Sequence, residues 1–126
     1  MKKILIVDDE VEICGFLKEF LTEKNYIVAV AYDGASAINK AKKFIPHIVL
    51  LDIKMPGING VTTLRKIKKI DPSIVVIMIS AVYEEEIAKE CVELGAFDYI
   101  LKPFELNYLE TVLLVKITEL MVDNEY

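Results

Sequence analysis

Several short apolar runs in this chain end in residues that could do chemistry. ILIV (residues 4–7) runs into three adjacent acids, Asp8, Asp9 and Glu10; HIVLLD (47–52) ends in Asp52; IVVIMIS (74–80) ends in Ser80; and DYIL (98–101) is followed by Lys102. Like charges beside a low-dielectric core repel one another, and a buried ion without a partner costs on the order of several kcal/mol. If these acids meet, one must take a proton or a cation must neutralise them. A hard divalent ion with oxygen ligands fits best: no His or Cys lies at these run ends to suit zinc, whereas Mg2+ takes one or two carboxylates with waters and a phosphate oxygen. Carboxylates around Mg2+, with the ammonium of Lys102 and the hydroxyl of Ser80 beside them, suit phosphoryl transfer in which an aspartate is the nucleophile and becomes an aspartyl phosphate.

That chemistry requires elements that bring the run ends together. Strand-like runs at 3–8, 26–30, 47–52, 74–80 and 98–101 alternate with segments of helical period. Ile13, Leu17, Phe20 and Leu21 share one helix face, as do Ala37, Ala41 and Phe44, then Val61, Leu64 and Ile67, then Ile87, Cys91 and Leu94, and finally Leu106, Leu109, Leu113, Ile117 and Leu120. Asp33-Gly34, Pro56-Gly57, Asp71-Pro72 and Gly95 fall between elements. The inner strands are nearly unbroken apolar runs, the mark of parallel strands covered on both faces. The pattern predicts an α/β fold, (βα)5, doubly wound and flavodoxin-like, with helices on both faces of a parallel sheet. Its common five-stranded form has strand order 2-1-3-4-5, with a ligand crevice outside the carboxyl ends of strands 1 and 3. Asp8, Asp9, Asp52, Ser80 and Lys102 would then all face one crevice.

Composition bounds the rest. A chain of 126 residues, 54% of them hydrophobic, has enough apolar surface for one core, and its apolar runs are too short to span a bilayer. We expect a single domain over residues 1–126, cytoplasmic, with no membrane association. Lys2 and Lys3 before four apolar residues do not make a secretory signal. A net charge of −5 argues against direct nucleic-acid binding and leaves proteins and small ligands as partners. Cys14 and Cys91 lack metal or redox spacing and are expected as buried free thiols. His47 is expected to be structural. Glu84 to Glu86 open the fourth helix, where negative charge suits its dipole. Arg65, Lys66, Lys68 and Lys69 are expected on a solvated helix face, and Leu113, Leu114 and Val115 to leave apolar surface on helix 5.

The stretches VDDE, LDIKMPGING, ISA and DYILKPF, in this order and each at a predicted strand end, resemble the receiver domain of two-component response regulators across essentially the whole chain. The resemblance implies that Asp52 accepts a phosphoryl group from a histidine kinase or phosphotransfer protein. It implies that Asp9 and Asp52 with the backbone carbonyl of Lys54 ligate Mg2+, with Asp8 assisting. It also implies that Lys102 contacts the phosphoryl group and that Ser80 hydrogen-bonds it after transfer. Met55, Pro56 and Gly60 match the loop after the phosphoacceptor, and Lys102-Pro103 is a candidate cis bond that aims the lysine. Tyr99 would be a switch aromatic that turns inward as Ser80 moves. The signal would leave through the face of helix 4, strand 5 and helix 5, to a downstream protein target or in a dimer. Lys54 and Val82 flank the path of water to the acyl phosphate, and Lys54 is expected to shield it.

Other readings stay open at this point. A haloacid-dehalogenase-like phosphatase also uses an aspartate nucleophile, but it needs a second acid two residues later, where this chain has Lys54. An interaction module that takes no phosphate is a second rival. Because little follows helix 5 before the final NEY, the chain is either a complete single-domain regulator or the excised receiver of a longer protein such as a transcription factor.

Overall fold

The computed structural model describes the backbone of residues 2–125 and the side chains of residues 2–117. Strands and helices alternate in the order β1 (Lys3–Val7), α1 (Val11–Glu23), β2 (Ile27–Ala31), α2 (Gly34–Phe44), β3 (Ile48–Asp52), α3 (Gly60–Ile70), β4 (Val75–Ser80), α4 (Glu85–Glu93), β5 (Asp98–Leu101) and α5 (Leu106–Glu125). The strands form one sheet in the order β2-β1-β3-β4-β5, every pair parallel, as the apolar patterning predicts.

Side chains of successive strand residues point to opposite faces, so a strand covered on both sides must be apolar throughout. Ile4 and Ile6 of β1 accordingly pack with Cys14, Leu17 and Leu21 of α1 and Leu109, Val112 and Leu113 of α5. Leu5 and Val7 pack the other way, with Ala37 and Ala41 of α2, Leu64 and Ile67 of α3 and Cys91 of α4. The two cysteines are free and lie on opposite faces of the sheet. Leu120, expected on the inner face of α5, lies outside the described side chains. Leu113 departs from the expectation of exposure: it is fully buried, and of these three residues Leu114 and Val115 alone leave apolar surface. Three consecutive positions cannot share one face of a helix with 3.6 residues per turn, so α1 and the sheet take Leu113 and leave its neighbours outward.

Element ends follow local chemistry. The Tyr26 N–H donates to the Leu21 carbonyl at the end of α1, so β2 starts pairing at Ile27, one residue later than expected. Asp33 caps α2 by accepting from the Ser36 N–H (2.7 Å), and Asn59 caps α3 by accepting from Thr62 (3.0 Å). The first residue of α3, Gly60, lies so close to the end of β3 that a Cβ would fall on the Asp52 carbonyl oxygen. That approach holds the β3–α3 loop against the strand end. Gly57 sits at φ +77° in that loop, as its pairing with Pro56 suggests.

His47 is structural as expected: its Nδ1 accepts from the Lys3 N–H (3.0 Å) and ties the start of β1 to the start of β3. Burial, and then the charges of Lys2 and Lys3, push its pKa down. Arg65, Lys66 and Lys69 are exposed, but Lys68 is not simply solvated. Its ammonium donates to the carbonyls of Pro72 (3.0 Å) and Ile74 (2.8 Å) and pins the α3–β4 turn. Among the described residues, no helix is long and apolar enough to cross a membrane.

Candidate functional site

The register of the sheet assembles the site. Val7 pairs with Leu51, Asp52 with Ile79, and Ser80 with Leu101. One step past each pairing, Asp8, Asp52, Ser80 and Lys102 therefore line up along the carboxyl edge of β1, β3, β4 and β5. The ladder continues just beyond the strands: the Asp8 N–H donates to Ala31 (3.1 Å) and the Lys102 N–H to Ser80 (2.8 Å). These backbone bonds fix where the side chains start.

Lys102 is the hub. Its ammonium donates to Asp8 Oδ2 at 2.7 Å and to Glu10 Oε1 at 3.2 Å, and it lies 3.5 Å from Asp52 Oδ2. The other oxygen of Asp8 accepts from the Glu10 N–H (2.9 Å), which turns the chain into α1. Asp8, Asp52 and Ser80 are among the buried polar residues, so the one ammonium is held among acids in a place largely shielded from water. Burial by itself lowers the pKa of Lys102, but the hydrogen bond it donates to Asp8 and the charges of Asp52 and Asp8 outweigh it and drive the value up. Asp52 moves the other way from a normal acid. Burial first, then the charge of Asp8, push its pKa up to about 6, against the opposing pull of Lys102 and of a hydrogen bond from the Lys54 backbone. The carboxylate is thus ionised at neutral pH but costly to hold, a group that favours gaining a positive neighbour or becoming esterified.

Among the described residues, one group of acids brings ligand oxygens within 4.8 Å of one another: Asp8, Glu10 and Asp52. Asp9, expected in this group from the sequence, is not part of it. It is exposed and lines a neighbouring hollow with Lys54, Met55 and Pro56. Glu10 instead takes a place beside Lys102, its Oε1 accepting from the ammonium. The signal was present in the third acid of VDDE, but only the turn at Asp8 aims it inward. An all-oxygen group beside one ammonium suits a hard divalent cation better than zinc, because the nearby thiol of Cys14 is engaged with the Asp8 carbonyl (3.3 Å). The residues present therefore fit Mg2+.

On the far side of β4, the Ser80 hydroxyl accepts from the Val82 N–H at 3.2 Å. The Tyr99 hydroxyl donates to the Val82 carbonyl at 2.6 Å, and the Tyr99 ring packs against the core between the sheet and α2, α3 and α4. Burial pushes the Tyr99 phenol up, and its contact with the Ser80 hydroxyl opposes that shift. Lys102-Pro103 is cis, as the sequence suggested. Lys54 is exposed at the mouth of the site, and the position two residues after Asp52 holds no acid.

Comparison with known proteins matches this geometry to a family. The family model for the response regulator receiver domain covers residues 4–114. Protein CcdB of Bacillus subtilis is 42% identical over 96% of this chain and 98% of its own. The transcriptional regulatory protein ZraR of Salmonella typhimurium is 36% identical over 87% of this chain, which spans only 25% of that relative's length. Among solved structures, a chain of the CheX-CheY-BeF3-Mg2+ complex from Borrelia burgdorferi superposes with a TM-score of 0.83 at 36% identity, covering 90% of this chain and 88% of that one. With acids, hydroxyl and lysine on the carboxyl edge of a parallel 2-1-3-4-5 sheet, and with a family match over nearly all of the sheet and its helices, the chain belongs to the response regulator receiver domain family.

Proposed function

We propose that this chain, as one receiver domain over residues 1–126, accepts a phosphoryl group on Asp52 from a phosphohistidine donor, a histidine kinase or phosphotransfer protein, in the cytoplasm. The observation that carries the reading is the Asp52 carboxylate: buried, crowded by Asp8 and held 3.5 Å from the Lys102 ammonium at the sheet switch point.

One Asp52 oxygen attacks phosphorus, the P–N bond of the donor breaks with its electron pair returning to the imidazole nitrogen, and an acyl phosphate remains. Lys102 already lies within reach of Asp52, so it neutralises charge on the phosphoryl oxygens without rearrangement. Asp8, Asp52 and the Lys54 carbonyl would hold Mg2+, with Asp9 joining them only by turning in from the neighbouring hollow, and the bound ion would supply further neutralisation of that charge. An apolar hollow of about 430 Å³ beside Lys102, lined by Ile13, Phe16, Leu17, Pro103 and Phe104, offers the donor a surface next to the reacting atoms. Lys54, exposed at the mouth, shields the acyl phosphate from water. The chain catalyses only its own phosphorylation and dephosphorylation.

The signal leaves by a population shift. Ser80 moves to the phosphoryl group, Tyr99 fills the space beside it, and the face of α4, β5 and α5 changes its affinity for a downstream protein or a second copy. Exposed Val92, Leu101 and Tyr108 give that face the apolar character an interface needs. Where relatives such as ZraR are much longer, the same face would report to further domains. The test is incubation with acetyl phosphate and Mg2+ followed by intact mass. Wild type gains one phosphoryl group and Asp52→Ala gains none; equal modification of both, or of neither, contradicts the reading.

A further inference from the structure

We infer that Tyr83 is a positioning residue that clasps Tyr99 in its inward place and thereby biases the domain toward the phosphoryl-binding arrangement before any phosphoryl group arrives. The inference rests on the proposed role of Ser80 and Tyr99, and it concerns a residue outside the phosphoacceptor site.

The contacts form one unit. The rings of Tyr83 and Tyr99 meet edge to face, with centroids 5.7 Å apart and planes at 80°. The carbonyl that accepts from the Tyr99 hydroxyl at 2.6 Å is that of Val82, and it belongs to the same peptide group as the Tyr83 nitrogen. Tyr99 is therefore gripped at two points, hydroxyl and ring, by one rigid peptide plane and the side chain it carries. The preceding peptide ties in the other partner, because the Val82 N–H donates to the Ser80 hydroxyl at 3.2 Å. Ser80 is 2% exposed and its hydroxyl has only to release the Val82 N–H to reach a phosphoryl group, whereas Tyr83 is 57% exposed. A ring so open to water adds little to the core, yet it covers the ring beneath it. If Tyr99 swung outward it would lose the Val82 carbonyl and the Tyr83 edge together. The clasp thus favours the inward Tyr99 that the proposed switch assigns to the phosphorylated state.

An edge-to-face pair is worth enough to change a two-state preference by about two- to tenfold. Tyr83→Ala should weaken binding of beryllofluoride, in the presence of Mg2+, by that factor, while Tyr83→Phe, which keeps the ring, should match wild type. In a Tyr99→Ala background, Tyr83→Ala should have no further effect. In the metal-free, unmodified protein, Tyr83→Ala should move the Tyr99 ring resonances toward those of an exposed, averaged tyrosine. Wild-type affinity in Tyr83→Ala, an equal loss in the Tyr99→Ala background, or unmoved Tyr99 resonances would overturn the clasp. Failure of wild type to bind beryllofluoride would instead overturn the proposed function, and the metal-free resonances would still decide the role of Tyr83.

Discussion

Replacing Asp52 by Asn should stabilise the metal-free protein. Burial and the Asp8 carboxylate raise the Asp52 pKa from an ordinary 3.8 to about 6. The folded state therefore holds the Asp52 proton more tightly than the unfolded chain does. Between about pH 4 and pH 6 the folded protein binds the extra proton, so stability falls as pH rises through that window, and above it the penalty is complete. Each pKa unit is worth 1.36 kcal/mol, which makes roughly 3 kcal/mol the ceiling at neutral pH. Asn keeps the shape and an oxygen facing Lys102 but never ionises, so the expected gain is about 1–3 kcal/mol at pH 7. Lys102, whose pKa is driven up, stays charged across this range and contributes no slope. The assay is urea denaturation of both proteins in EDTA at pH 4, 5, 6 and 7. The difference should shrink toward pH 4. Mg2+ at ten times its Kd should add about 1.4 kcal/mol to wild type and little to Asp52→Asn. An Asn variant no more stable than wild type at pH 7, or an advantage that persists unchanged at pH 4, refutes the reasoning.

Four further variants have outcomes that the structure sets. Lys102→Ala leaves Asp8 and Asp52 buried without their cation and should cost roughly 3 kcal/mol in the metal-free state, near the low end for breaking a buried pair because Glu10 stays solvated; denaturation in EDTA reads it. Gly60→Ala forces a methyl onto the Asp52 carbonyl and should cost about 1–3 kcal/mol, whereas Gly15→Ala, in open space on α1, should stabilise by about 0.5–1 kcal/mol; thermal melts of the pair check both signs. Lys54→Ala should shorten the lifetime of the acyl phosphate severalfold, measured as loss of the phosphorylated mass with time, with no change in fold.

The architecture was legible because its cause is local. Strands buried on both faces are apolar along their length, as IVLL and VVIMI are; a polar residue ending such a run has nowhere to go but the carboxyl edge. Asp52 and Ser80 were readable for that reason, and Lys102 from its place directly after the short edge strand DYIL. What the sequence did not disclose depends on directions taken after a strand ends. Asp8, Asp9 and Glu10 are three adjacent acids of similar chemistry, and only the hydrogen bond from the Glu10 N–H to Asp8 turns Glu10 toward Lys102 while Asp9 faces the β3–α3 loop. Lys68 looks like any exposed helix lysine until the α3–β4 turn presents two carbonyls within its reach. Tyr83 had no periodicity to mark it, since it lies in the irregular stretch between β4 and α4, and its partner is distant in sequence.

The central claim is that the acids of separate strands crowd together so that one of them, Asp52, can take phosphorus. Peptide mapping after borohydride reduction of the acetyl phosphate-treated, Mg2+-containing protein tests it most directly. The account predicts reductive conversion at position 52 alone, abolished by EDTA. Conversion at Asp8, Asp9 or Glu10, or conversion that survives removal of the metal, would contradict it.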